Sequence, residues 1–362
     1  MATSKSEAQT PLSCQLCRIQ GVIKWKCTEC ELLMCDICKT TVHSRIKTAE
    51  KHNIITIQEV GTDLSERLKA LNISEVFSSV FNTYTTEVPG IHKLICCAED
   101  VIYIMHNANG QVCHFMKAKL LKGSMKILKI FDIECVDFAI SRKEEILFSP
   151  SPGTKLMSAS TTDMETKTVL DTSPLLILAI HRSRHDELLI GLREQGPLFP
   201  VTDFSTRQVV VFGADNKRKS TFERDDTGKR LFNYANRITT DSANNIYVID
   251  MLENDAIDRI VSIDRNGRKR FVYNGCDSFN KHGAAFNPGE LVVTLQDTII
   301  ISDQDNHALH ALNANGELIG LQILKHVDIL FPYSLSIDNE GFLLIGSIVN
   351  KNAKIHVVKL LL

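Results

Sequence analysis

From about Pro89 to the C-terminus the sequence is a succession of short apolar runs rich in Ile, Val, Leu, Phe and Thr, broken by Asp, Asn and Gly. That texture predicts strands joined by turns, and helical periodicity is scarce in it. Six runs stand out as equivalent strands, at residues 101–105, 145–148, 187–190, 245–249, 298–301 and 342–345. They recur at intervals of about 42 to 58 residues, which is the period of propeller blades with four short strands each, the wider gaps holding inserted loops. The later units align with one another. Asp264-Arg265-Asn266-Gly267, Asn313-Ala314-Asn315-Gly316 and Asp338-Asn339-Glu340-Gly341 mark turns between β-rich runs, because these residue types tolerate positive φ. A region of roughly 270 residues suits six blades and falls short of seven. The run His356 to Leu362 is expected to be a strand of the closing blade, paired with a strand near His92 to Cys97.

Upstream of this region Leu64, Leu68 and Leu71 recur at i, i+4 and i+7, with Thr62 or Asp63 as N-cap, and predict one short amphipathic helix between Gly61 and Phe81. The pattern ends near Glu75, too short for a coiled coil, so a linker helix packing on a neighbour is expected.

Composition alters the picture at the N-terminus. Of eleven cysteines, six fall between Cys14 and Cys38, while Cys96, Cys97, Cys113, Cys135 and Cys276 are scattered. The order is Cys14-x2-Cys17-x9-Cys27-x2-Cys30-x4-Cys35-x2-Cys38-x4-His43-x8-His52, giving eight candidate ligands. Two residues between paired cysteines let both sulfurs face one ion, and zinc takes four such donors in a tetrahedron. Two closed, structural zinc sites are therefore expected. So short a segment has few large apolar residues, chiefly Ile23, Trp25, Leu32, Leu33, Met34, Ile37, Val42 and Ile46. Metal must supply much of its folding free energy, on the order of 10 kcal/mol or more per site. Spacing alone permits sequential fours or interleaved pairs.

The stretch from Cys14 to His52 resembles a B-box zinc finger of the tripartite-motif family, and all eight ligand positions match. The resemblance implies interleaving, with Cys14, Cys17, Cys35 and Cys38 on one ion and Cys27, Cys30, His43 and His52 on the other. The propeller units resemble NHL repeats, which follow the B-box in one branch of that family. The match is best at Asp303, Asn306 and His307, and Asp250 fits the same strand end. Only 13 residues precede Cys14, too few for the RING finger that the family places upstream, so its ligase activity is not carried over.

The remaining features exclude more than they add. The net charge is −2, with no overall field to attract nucleic acid or membrane. No segment approaches about 18 consecutive apolar residues, and the polar start is not a secretion signal, so a cytoplasmic protein with no membrane partner is expected. No P-loop, G-x-S-x-G elbow or H-E-x-x-H occurs, and no catalytic residue is assigned. Asp241, Asp250, Asp303 and Asp338 could in principle serve a metal-dependent hydrolase, but strand-end aspartates are expected to hold turns. His307 and His310 read as repeat and turn residues, and the five scattered cysteines as inert buried strand positions. Basic clusters at Lys217-Arg218-Lys219 and at Arg265 with Arg268-Lys269-Arg270 raise RNA binding as an alternative, although the chain from residue 84 onward is slightly acidic.

The sequence thus predicts a mostly β chain: a disordered stretch 1–10, a B-box-type finger 11–57, a short helical linker 58–83 and a six-bladed NHL-like propeller 84–362. It predicts a zinc-binding scaffold that recognises a protein partner through propeller loops. A part in a ubiquitin-ligase assembly and RNA binding are its alternatives.

Overall fold

In this computed structural model the chain divides into two units, Met1–Ile73 and Ser74–Leu362. The structure describes residues 14, 16–17, 23–27, 29–30, 32–45, 52, 54–56, 73–107, 113–131, 133–150, 152–161, 165–253, 257–280, 284–349 and 351–362. The expected disordered stretch 1–10 lies outside the described residues, as do 57–72, where most of the linker helix was placed.

In the smaller unit, β1 (Trp25–Cys27) pairs antiparallel with β2 (Leu33–Met34) on one side and β3 (Ile54–Thr56) on the other. One short helix, α1 (Asp36–Thr41), follows β2 and leads into a 3-10 turn at His43–Arg45.

The larger unit is a six-bladed β-propeller of four-stranded antiparallel sheets. Its first blade comprises β5 (Ile91–Cys96), β6 (Val101–Asn107), β7 (Cys113–Leu121) and β8 (Ser124–Phe131). The second has β9 (Cys135–Ile140), β10 (Ile146–Pro150), β11 (Lys155–Ala159) and β12 (Thr166–Asp171). The third has β13 (Leu176–Arg182), β14 (Leu188–Arg193), β15 (Arg207–Phe212) and β16 (Arg218–Phe222). The fourth has β17 (Ala235–Thr240), β18 (Ile246–Asp250), β19 (Arg259–Ile263) and β20 (Lys269–Tyr273). A single helical turn, α2 (Asp277–Asn280), precedes the fifth: β21 (Pro288–Val293), β22 (Ile299–Asp303), β23 (Ala308–Leu312) and β24 (Leu318–Ile323). The sixth has β25 (Pro332–Ile337), β26 (Phe342–Ser347) and β27 (Lys354–Leu360), and its outermost strand is β4 (Phe77–Thr85).

The six runs singled out in the sequence all fall on the second strand of a blade. Those strands are packed on both faces: every residue of β18 and β22 is buried. A strand covered on both sides needs no alternation, hence the continuous apolar runs. Six apolar clusters fill the spaces between neighbouring blades, sixth against first included.

Closure differs from the expectation. The C-terminal strand β27 pairs with β4, Ile355 opposite Tyr84 and Val358 opposite Val80, whereas Ile91–Cys96 is the inner strand of the first blade. The propeller therefore begins at Ser74 rather than at residue 84, and 77–83 are strand rather than linker. The chain first lies against the fifth blade, where Ser74 N–H donates to Ile319 O at 2.9 Å and Leu321 N–H to Ser74 O at 3.0 Å. It then becomes the outer strand of the sixth. One segment thus ties two blades, and Val76 and Phe77 fill the space between them.

The turns between the inner and second strands of the fourth and sixth blades share one device. Asp241 Oδ1 accepts N–H bonds from Ala243 and Asn245 at 3.0 and 2.8 Å, and Asp338 Oδ1 accepts from Glu340 and Phe342 at 2.9 and 2.8 Å. The fourth turn residue has positive φ, at Asn244 (61°) and Gly341 (88°). Side-chain acceptors and a left-handed residue together make the tight reversal that the Asp/Asn/Gly pattern foretold.

Candidate metal centre and axial cavity

Local structure brings the eight candidate ligands together in the interleaved arrangement. Helix α1 begins directly after Cys35, so Cys35 and Cys38, three apart, point the same way, and Cys35 N–H lies 3.5 Å from Cys14 Sγ. His43 follows the helix, and His52 precedes β3, which pairs with β1 so that Ile54 stands opposite Cys27. Ligand atoms of Cys14, Cys17, Cys35 and Cys38 lie within 4.8 Å of one another, and so do those of Cys27, Cys30, His43 and His52. In the second set His43 Nε2 is 3.6 Å from Cys30 Sγ, while His52 Nδ1 is 3.6 Å from Cys27 Sγ and 3.2 Å from Cys30 Sγ. The S–N edge of a tetrahedron with bonds of about 2.3 and 2.0–2.1 Å is roughly 3.6 Å. The donors fit a four-coordinate ion.

The four-thiol set also fits chemically. Cys14 feels burial, which raises its pKa, but N–H donors from Cys17, Cys35 and Leu16 outweigh this and bring it down to about 6. Cys38, buried beside the other three sulfurs, is pushed up to about 12. Thiols this close resist ionising together, and a divalent cation is what allows four thiolates in one place.

Trp25 anchors the module. Its indole N–H donates to Asp36 Oδ1 at 2.7 Å, and the Lys39 ammonium sits 3.1 Å from the ring centroid. Of the apolar residues expected to form a small core, Met34 is fully buried, but Ile37 and Val42 are exposed. Cohesion therefore rests still more on the donors.

In the propeller, inner strands of all six blades line an axial cavity of about 470 Å³. Four charged side chains near it went unnoticed in the sequence. Lys93 Nζ lies 2.7 Å from Asp137 Oδ1, and Arg237 Nε lies 3.3 Å from Glu290 Oε2. Asp137 Oδ2 accepts the Ile180 N–H at 2.7 Å, and Arg237 Nη2 donates to His92 O at 3.1 Å. Each cation is thus matched by an anion and each pair bridges blades. Their signal was a single charge inside an inner strand, following a bulge at His92, Val136 or Asn236 in three of the four. Removing one partner of a buried pair strands the other, so Asp137→Ala should lower propeller stability by about 3–5 kcal/mol in denaturant unfolding.

The four aspartates considered for a hydrolase hold backbone. Besides the turns above, Asp250 Oδ1 accepts N–H from Asn233 and Tyr234 at 2.6 and 2.9 Å and pairs with Arg259 at 2.8 Å. Asp303 accepts from Asn287 N–H and from Asn306 Nδ2. His307 is a turn residue with φ of 49°, and its Nδ1 accepts the Phe331 N–H at 2.9 Å. His310 is not in a turn: it is buried in β23, 2.7 Å from Tyr273 Oη and 3.3 Å from Asp303. Cys135 is a buried strand position, Cys276 is buried outside the strands, and the side chain of Cys113 lies outside the described residues. Cys96 and Cys97 are half-buried, with burial pushing their thiols up to about 12 and about 11, so both stay protonated. The basic clusters carry acidic partners: Lys219 and Arg265 reach Glu187, Lys217 reaches Asp215, and Lys269 reaches Asp225.

Burial holds His181 at about 3 and His106 and His356 at about 4, with nearby Lys93, His114 and Lys354 acting in the same direction. Their unfolded pKa is about 6.5. The unfolded chain takes up protons that the folded one refuses, so stability is complete above about pH 6.5 and falls as pH drops toward 4. Each histidine contributes up to about 1.4 kcal/mol per pH unit. Denaturant midpoints followed by far-UV circular dichroism should decline across that window, and a flat profile contradicts this.

Among the described residues no helix is long and apolar enough to cross a membrane. No protein-family model and no curated protein matches the chain. Solved structures do. A calcium-binding protein, regucalcin, of Agrobacterium tumefaciens strain C58 is similar at TM-score 0.54 and 11% identity, over 80% of this chain and 96% of that one. A luciferin-regenerating enzyme is similar at TM-score 0.54 and 12% identity, over 75% and 94% of the two chains. A gluconolactonase of Xanthomonas campestris is similar at TM-score 0.50 and 8% identity, over 76% and 88%. Identities this low show the shared propeller fold alone.

Proposed function

We propose that this chain is a zinc-held interaction scaffold, a B-box-like finger of the tripartite-motif type followed by an NHL-like propeller that recognises a protein partner. The observation that carries the reading is the assortment of eight donors into two interleaved sets of four. Zinc suits thiolate and imidazole donors, and four protein ligands at each ion leave no position for a reacting water. Its part is to hold the module together. The activities of the fold relatives are not carried over, because Asp137 and Glu290 by the axial cavity already face Lys93 and Arg237. A rigid β scaffold can vary its loops and edges without disturbing the core, which is where recognition resides. Six cysteines gathered into metal-type donor sets, rather than spread as a disulfide framework, fit a reducing, cytoplasmic setting.

Membership of a ubiquitin-ligase assembly is tested by autoubiquitination with purified chain, E1 and a panel of E2 enzymes. The scaffold reading expects no product from the chain alone; product with any E2 overturns it. RNA binding is disfavoured by the acidic partners of both basic clusters, and a gel shift at low salt is expected to show nothing.

A further inference from the structure

The outer edge of the first blade differs from the other five. On β8, Ile127, Leu128 and Ile130 are 42%, 44% and 65% exposed, whereas no other outer strand exposes more than one large apolar side chain among the described residues. The same hairpin, residues 113–131, carries Lys117, Lys119, Lys122, Lys126 and Lys129 and no acidic residue.

Register sorts these side chains. Lys117 stands opposite Lys129 and Lys119 opposite Lys126, which places four lysines on one face. Ile127 stands opposite Ala118 and Ile130 opposite Met116, on the other face. There Met116, Met125, Ile127 and Ile130 line an open cleft of about 460 Å³ together with Val88, Pro89 and the polar Glu87, His106 and His114. Like charges directly opposite weaken a ladder, and exposed aliphatics on an edge invite pairing. Both act against the hairpin standing alone.

Edge lysines commonly guard a strand against a second copy of itself, and β8 against β8 would set lysine against lysine. That accounts for the charges but not for the cleft beside them. An extended segment answers both, because its side chains alternate between faces: acids against the lysines, aliphatics into the cleft. A flat bilayer would meet the cleft poorly, since the cleft admits a side chain rather than a plane.

We propose that β8 is a docking edge for an extended partner segment alternating acidic and aliphatic residues, taken up as a fifth strand of the first blade. This rests on the protein-recognition reading above and specifies the surface and the chemistry of the partner.

The test uses the full chain and a fluorescein-labelled eight-residue peptide alternating glutamate and valine, followed by anisotropy and by amide hydrogen exchange. The peptide should bind, and exchange in 124–131 should slow about tenfold, because free edge N–H groups become bonded. Lys126→Glu with Lys129→Glu should weaken that peptide about tenfold and gain binding of its lysine–valine counterpart, a swap that misfolding cannot produce. Absence of binding, binding indifferent to charge reversal, or binding to phosphatidylserine vesicles instead of the peptide each overturns the proposal. A protein partner of the propeller that ignores these substitutions overturns the β8 assignment while leaving the scaffold reading intact.

Discussion

Cys27→Ser will unfold the N-terminal module and leave the melting of the propeller where it was. Cys27 is fully buried at the end of β1, its sulfur accepts the Cys30 N–H at 3.4 Å, and it lies 3.6 Å from His52 Nδ1. A serine hydroxyl is a poor replacement for a thiolate at a soft metal site, so the ion proposed for that set would lose one of its four ligands. Interleaving spreads the damage, since α1 carries Cys38 for one set and leads into His43 of the other. With an expected binding free energy of about 10 kcal/mol or more per ion and little apolar core, the module has nothing to fall back on. Trp25 is the sole tryptophan and lies in this module, so its fluorescence reports on the module alone. The predicted result is a red-shifted Trp25 emission in the variant with an unchanged circular-dichroism melt. Retained emission, or a propeller that melts with the finger, contradicts it.

A chain beginning at Tyr84 will fail to form a stable propeller, whereas one beginning at Ile73 will fold. The longer fragment keeps β4, which closes the ring by pairing with β27. The shorter one loses Val76 and Phe77, buried among Ile300, Leu309, Leu324, Leu343 and Ile345. Two such side chains contribute about 1.5–3 kcal/mol each from burial, and the void they leave adds to the loss. Most of the ladder along β27 would then be bare, and the contact of fifth with sixth blade wet. Against a total stability of about 5–15 kcal/mol that loss is decisive. Thermal melts of the two fragments check it: a cooperative transition is expected only for the longer chain, and equal transitions would show that closure does not depend on β4.

These two outcomes also mark what could be read before the structure was known. The two sets of clustered Cys and His donors were legible because metal geometry constrains spacing, and the six second strands because strands buried on both faces become unbroken apolar runs. Closure by β4 was not legible. Its partner lies more than 260 residues away, and the leucine periodicity ahead of it made Phe77 to Phe81 read as the tail of a helix. Lys93, Asp137, Arg237 and Glu290 were missed for a related reason, since a charge in a β-rich run looks like an exposed position until the strands converge on one axis. The lysine and isoleucine faces of β8 were hidden as well. Their sorting depends on a bulge between Lys117 and Ala118, which shifts every later side chain of β8 relative to β7.

The most direct measurement of the whole account is the mass of the purified, natively sprayed protein. It should equal the polypeptide plus two zinc ions, lost together with the Trp25 signal when a chelator is added. A mass equal to the polypeptide alone, with Trp25 emission still that of a folded module, would contradict it.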